Sequence, residues 1–214
     1  MKFAIHACRY GILTSSGIYV NFLIMNLTTP YSIKLKDDQT LLLEPVLDKN
    51  ADFTRDQELG IACFVNAYNN TPDEDLEEHF KSSEKIADYY RQLIDECDIE
   101  PFRAGKLIWI RAFLENELVG WMGLEADFRG KNETYISTFV VDPICEGKGI
   151  GEKMLLSITE HWLPETSELN LVVRKINRKA LNFFQHFGFL PALDIDHPYI
   201  DNPMHCMFMR LTLA

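Results

Sequence analysis

From residue 40 onward the apolar positions fall into short runs divided by polar turns, and their period switches between two and about four. Residues 40–47, T-L-L-L-E-P-V-L, read as a first strand that Pro45 bends or confines to an edge. Over residues 52–69 the period lengthens: Phe53, Ile61, Ala62, Val65 and Tyr68 lie on or near one helical stripe. Asn69-Asn70-Thr71-Pro72 stops that helix. Ser82 or Ser83 caps a second helix reaching Cys97, with Ile86, Tyr89, Tyr90, Leu93 and Ile94 as its apolar positions. Residues 105–114 and 117–126 pair as an antiparallel hairpin, with Asn116 between two glutamates at the turn. A polar turn with Gly130 leads to a central strand over 133–141. Residues 169–173 form a short strand, far enough along the chain to lie parallel to the central one. Asn177 caps a helix with Ala180, Leu181, Phe184 and Phe187 inward, and Gly188 ends it. Residues 189–193 and 206–213 are the last strands, joined by a polar loop with Pro198 and Pro203.

The stretch T-F-V-V-D-P-I-C-E-G-K-G-I-G, residues 138–151, organises this pattern. Thr138, Phe139, Val140 and Val141 suit a buried strand, and Pro143 cannot extend a central one. Gly147, Gly149 and Gly151 follow, then a helical face of Ile150, Met154, Leu155, Ile158 and Trp162. The first amides of a helix lack intrahelical acceptors and sit at the positive end of its dipole. Glycines let the backbone come close to a phosphate. Two readings stand on spacing alone: a phosphate cradle, or a tight strand-to-helix turn. The spacing matches neither G-x-x-x-x-G-K-[ST] nor G-x-G-x-x-G.

A formal charge of −11 over 214 residues argues against a general nucleic-acid binder. It favours a cationic, amine-bearing partner, and makes local positive charge necessary wherever a polyanion binds. Cys8, Cys63, Cys97, Cys145 and Cys206 are odd in number and in no metal pattern, as in a reduced, cytoplasmic protein. No metal is expected. Cys145 stands beside the glycine loop, but beyond a nearby helix start nothing lowers its pKa. The apolar run from Gly11 to Leu27 is broken by Thr14, Ser15, Ser16 and Asn21, so it fits a signal peptide or a membrane span poorly. Residues 17–25 read either as a strand or as sequence ahead of a start at Met25. We expect residues 1–38 to be a weakly attached extension and residues 39–214 to form the functional domain. There is no internal repeat or low-complexity segment.

The loop resembles motif A of the GNAT superfamily of acyl-CoA-dependent N-acetyltransferases, [QR]-x-x-G-x-[GA] after a strand ending V-x-P. Val141-Asp142-Pro143 supplies the strand end, and Glu146-Gly147-Lys148-Gly149-Ile150-Gly151 the loop, with Glu146 where Gln or Arg is usual. Residues 177–189, N-R-K-A-L-N-F-F-Q-H-F-G-F, are similar to the family's motif B. The resemblance is strong over residues 125–190, plausible from 39 to the C-terminus, and does not cover residues 1–38. It implies a mixed α/β, mostly antiparallel sheet of about six or seven strands, with a central splayed parallel pair and about four helices.

The resemblance further implies acetyl-CoA as co-substrate. Backbone groups of Phe139, Val140 and Val141 would pair with the pantetheine arm, and the amides of Gly147 through Gly151 would hold the pyrophosphate, with Lys148 adding charge. Arg174, Lys175, Arg178 and Lys179 read as 3′-phosphate partners or as a solvated loop and helix face. Asn177 is a cap to which the family adds a CoA contact. Glu146 puts a carboxylate near the pyrophosphate unless its side chain turns away. Phe184 stands where many members have the tyrosine that protonates the leaving thiolate; the ring would pack against the thioester. Residues 73–78, D-E-D-L-E-E, read as a solvated segment or, by the resemblance, as an acidic lip over the acceptor.

The implied reaction is direct attack of a neutral amine on the thioester. A lysine-type amine with a pKa near ~10.4 must lose a proton before or during attack. By analogy the Val141 amide would polarise the carbonyl. No base stands out: Tyr135, Glu125, Tyr199 and water are all open, and His186 faces elsewhere on its helix. The acceptor is a small-molecule or peptide amine; neither nucleic acid nor membrane is expected as a partner, and a homodimer is compatible with the resemblance. The alternative is a non-catalytic acyl-CoA-binding or regulatory module, which the missing tyrosine keeps open.

Overall fold

The computed structural model describes residues 27–69, 80, 82–192 and 205–213. The expected strand at 17–25, the acidic run at 73–78, Tyr199 and the loop with Pro198 and Pro203 lie outside them.

Eight strands form one sheet: β1 (Tyr31–Lys34), β2 (Thr40–Pro45), β3 (Ile108–Leu114), β4 (Glu117–Ala126), β5 (Glu133–Val141), β6 (Glu168–Arg174), β7 (Leu190–Pro191) and β8 (Cys206–Thr212). Their order is β1-β2-β3-β4-β5-β6-β8-β7. Every pair is antiparallel except β5 with β6. This is the expected mixed sheet with a central parallel pair, longer at one edge. The added strand is β1, inside residues 1–38, paired from Tyr31↔Leu43 to Lys34↔Thr40.

Helices α1 (Thr54–Asn69) and α2 (Ser83–Ile94) lie on one face, and α3 (Ile150–Ser157) and α4 (Arg178–His186) on the other. Strand alternation divides the core accordingly. Trp109, Trp121 and Val140 meet Phe53 and Ile94 on the first face. Ile110, Met122, Leu124, Ile136 and Leu171 meet Ile150, Met154, Leu155, Leu181 and Phe184 on the second.

Two helices depart from the regular period. α2 widens into a π-helical turn over Asp95–Ile99 before a last turn, Glu100–Arg103. That turn buries two consecutive residues, Asp98 and Ile99, which a regular amphipathic stripe would not. α3 ends likewise in a wide turn, Ile158–Trp162, where Trp162 Nε1 donates to Ser157 Oγ at 3.1 Å.

Helix α1 is tied to the sheet by one buried acid. Asp56 accepts from Arg111 Nε and Nη2 at 2.9 and 2.7 Å and from Trp109 Nε1 at 2.9 Å. Trp121 Nε1 donates to the Asp56 carbonyl at 2.9 Å. The tryptophans stack with ring centroids 4.2 Å apart, so both indole N–H groups reach the same helical turn.

Candidate functional site

The sheet opens at its centre. β5 and β6 pair only from Glu133↔Glu168 to Ile136↔Leu171. β5 continues to Val141 against β4, and β6 continues to Arg174 against β8. Between them lies a wedge-shaped gap. Asp142 N donates to Val119 O across β4, and a Cβ on Gly120 would meet the Val140 carbonyl oxygen at 2.6 Å. Val140 therefore turns its polar groups to β4. Alternation turns those of Phe139 and Val141 into the gap. Of the three residues expected to face a pantetheine arm, Val140 points the other way, with its side chain in the α1–α2 core. Cys63 on α1 closes part of the mouth, its thiol donating to Val141 O at 3.3 Å. Burial pushes that thiol's pKa up to about 12.

The gap leads to the glycine loop. Asp142 accepts from Ile144 N at 2.9 Å, and a short 3-10 turn, Pro143–Cys145, follows. Gly147 and Gly149 have φ of 79° and 77°, in the left-handed region that favours glycine. A Cβ on Gly147 would meet nothing within 4 Å, so the space over it is open. Gly151 serves packing: a Cβ there would come within 3.3 Å of the Phe183 ring. Glu146 N is committed to Pro143 O and Lys148 N to Cys145 O. The amides of Gly147, Gly149, Ile150, Gly151 and Glu152 have no acceptor among the described residues, and Lys153 N begins the helical ladder at Gly149 O. An anion fits that run of donors at a helix start. Glu146 turns its carboxylate to Lys179 Nζ at 2.7 Å.

The expected cluster of bases does not act as one. Arg174 stacks over Phe80, 4.5 Å from the ring centroid, and donates to Tyr89 Oη at 2.9 Å. It belongs to an aromatic cluster on the α1–α2 face, where Tyr68 and Tyr90 share a 2.7 Å hydroxyl contact. Burial raises the Tyr90 hydroxyl to about 12. Asn177 caps α4, accepting from Ala180 N at 3.1 Å. Phe184 was expected along the channel; its ring is only 6% exposed and packs against Phe139, Phe183 and Phe189. Cys145 is buried, which raises its thiol pKa.

Among the candidate bases, Tyr135 is buried and stacked on Phe128 at 4.7 Å. Glu125 lies opposite it in register, and burial raises its pKa against the pull of Lys106. The acid that sequence reasoning passed over is Asp98. Its carboxylate accepts from Ser137 Oγ at 2.6 Å and Thr138 Oγ1 at 2.7 Å. Burial, opposed by those two bonds, raises its pKa to about 6. In D-E-C-D-I-E it reads as one more polar residue at a helix end, and only the π-helical turn brings it inward.

Among the described residues no group of three or more His, Cys, Asp or Glu could hold a metal ion, and no helix is long and apolar enough to cross a membrane. A model of the acetyltransferase (GNAT) family matches residues 65–189. The spermine/spermidine N(1)-acetyltransferase of Bacillus subtilis (strain 168) is 33% identical over 84 residues, which are 36% of this chain and 55% of that protein. The probable spermine N(1)-acetyltransferase of the natto strain BEST195 matches equally. The chain thus spans about half the length of the curated relatives it matches. Among solved structures, the PaiA N-acetyltransferase of Thermoplasma acidophilum in complex with coenzyme A has a TM-score of 0.54 at 19% identity, covering 80% of this chain and 99% of that one. A GNAT-family acetyltransferase of Elizabethkingia anophelis with acetyl-CoA bound has a TM-score of 0.52 at 16% identity, covering 81% and 98%. These last two likenesses concern the fold.

Proposed function

The chain belongs to the acetyltransferase (GNAT) family, and on that premise we propose that it moves an acetyl group from acetyl-CoA to an amine by direct attack. The carrying observation is the gap between β5 and β6 leading to free amides at the start of α3. In this reading the pyrophosphate takes the amides of Gly147, Gly149, Ile150 and Gly151. The pantetheine arm takes the place of a strand beside Phe139 and Val141. Lys148, Lys175 and Arg178 supply the positive charge that an acidic chain needs near a polyanion. Asn177 holds the start of α4 beside the loop. Of the two amides turned into the gap, that of Phe139, the inner one, would stabilise the developing oxyanion in this reading. We propose a cytoplasmic location, a reading that the odd number of unpatterned cysteines supports.

For the acceptor we propose an aliphatic polyamine. The support is the match to the two Bacillus spermine-type acetyltransferases, together with the net charge of −11, which attracts polycations. The test is release of free CoA from acetyl-CoA with spermidine, spermine, an aminoglycoside, free amino acids and a peptide N-terminus. The polyamines should give the highest kcat/KM. Turnover confined to another amine overturns the acceptor assignment. Tight acetyl-CoA binding with no turnover on any amine favours a non-catalytic binding module, the reading that a buried Phe184 in place of a tyrosine supports.

A further inference from the structure

We propose that Asp98, acting through the Ser137 hydroxyl, takes up the proton that the acceptor amine loses during acetyl transfer. The inference rests on the acetyl-transfer reading above and adds the proton acceptor that the sequence does not reveal.

The β5–β6 ladder ends at Ile136↔Leu171, and Ser137 is the next residue, at the inner end of the gap. An arm whose phosphates sit at the glycine loop runs inward past Val141 and Phe139, and its thioester is the end farthest from the phosphates. The stretch from Val141 to Ser137 is about 13 Å of strand, the scale of an extended pantetheine arm. The reacting carbon therefore comes to rest near Ser137, which is half-buried and able to touch a ligand.

Successive side chains of a strand point to opposite faces. Here the register slips between Gly123 and Leu124, leaving Ser137 as the extra residue of a bulge. Ser137 and Thr138 both reach one carboxylate, one hydroxyl to each oxygen. Gly123 makes room: a Cβ there would lie 2.4 Å from Ser137 Oγ and 3.3 Å from Asp98 Oδ1. The acid is presented on the π-helical turn that ends α2, a distortion frequent at functional sites.

Asp98 is 2% exposed, and no cation pairs with it among the described residues. A buried carboxylate without a countercharge is expensive. An asparagine would satisfy two hydroxyls at far lower cost, so the ionisable group is what the site retains. No charged side chain from α2, β4 or β5 perturbs it; burial raises its pKa and the two hydroxyls lower it. Glu125 on β4 has Lys106 near it.

The step balances. The amine lone pair forms the C–N bond as the C–S bond breaks and CoA leaves as thiolate. One amine proton passes to Ser137 Oγ while the Ser137 proton passes to Asp98. Solvent protonates the thiolate, and Asp98 returns its proton through Ser137 to solvent.

Wild type, Asp98→Asn and Ser137→Ala are compared as full chains, with spermidine and acetyl-CoA. Both variants should bind acetyl-CoA within about twofold of wild type by calorimetry while kcat falls about 100-fold. Wild-type kcat should rise with pH through a limb near 6, absent from Asp98→Asn. Wild-type kcat with the same limb in Asp98→Asn overturns the inference, as does a loss of kcat matched by an equal loss of acetyl-CoA affinity. If Asp98→Asn does not fold, full kcat in Ser137→Ala still overturns it. If wild type does not turn over spermidine, the acceptor assignment fails separately. Infrared titration of the carboxyl band, with acetyl-CoA bound, then reads Asp98 with no acceptor present. A band that titrates, and is missing from Asp98→Asn, supports the inference; a carboxyl that never exchanges its proton overturns it.

Discussion

Two buried acids face opposite demands. Asp56 is matched by Arg111 and two indoles, so its charge is balanced where it sits. Asp56→Ala strands the Arg111 guanidinium, 22% exposed, beside an empty site; we expect about 3 kcal/mol of lost stability, measured by urea unfolding. Asp98 has hydroxyls and no cation. Its folded pKa of about 6 lies above that of an unfolded aspartate, so the folded protein holds more protons between the two values. That contribution is fully present below the unfolded pKa and is lost as pH rises through about 6. Asp98→Asn removes the titration. Its melting temperature relative to wild type should therefore climb as pH rises through that window; a difference independent of pH contradicts a raised pKa. Phe184 is a third case. With its ring in the core, a Phe184→Tyr hydroxyl has no partner and should cost about 1–3 kcal/mol, read as a lower melting temperature. This reverses the outcome that a channel-lining ring would give.

At the scale of elements, the strand–loop–helix unit was legible because its signals are local. V-V-D-P ends a strand, alternate glycines force a turn, and the 3.6-residue period resumes at Ile150. β4 and β5 fall where their patterns put them, at Glu117–Ala126 and Glu133–Val141. Three features were not legible. β1 is four residues long, too short to show a period, and only pairing with β2 defines it. The π-helical turn at Asp95–Ile99 leaves no mark in D-E-C-D-I-E, since its cause is tertiary: hydroxyls on a bulge more than thirty residues away. The charge run from Arg174 to Lys179 looks continuous in sequence, yet a strand end sends Arg174 to one face and a helix start sends Lys179 to Glu146. The loop itself makes a test. Gly149→Asp puts a Cβ at φ of 77°, a strain of about 1–2 kcal/mol, and a carboxylate at the free amides. Calorimetry should show acetyl-CoA binding lost while circular dichroism shows the fold kept; unchanged affinity would remove the phosphate role from this loop.

For the whole molecule, the splay sets how stability is distributed. β1 through β5 form one continuous antiparallel ladder and β6 joins β8 in another, and the two ladders meet through a parallel contact that ends at Ile136↔Leu171. Beyond that point the amides of Phe139 and Val141 have no strand partner on their open side among the described residues. A backbone N–H without a protein acceptor exchanges its hydrogen with water as fast as water can reach it. A ligand that lies in the gap as a stand-in strand would close the seam, taking the place of the Cys63 thiol at Val141 O. Deuterium uptake should then slow at Phe139 and Val141 when acetyl-CoA is added, while the amides of Val140 and Asp142, already turned to β4, change little. In an exchange map the co-substrate would register as an every-other-residue imprint along a single strand.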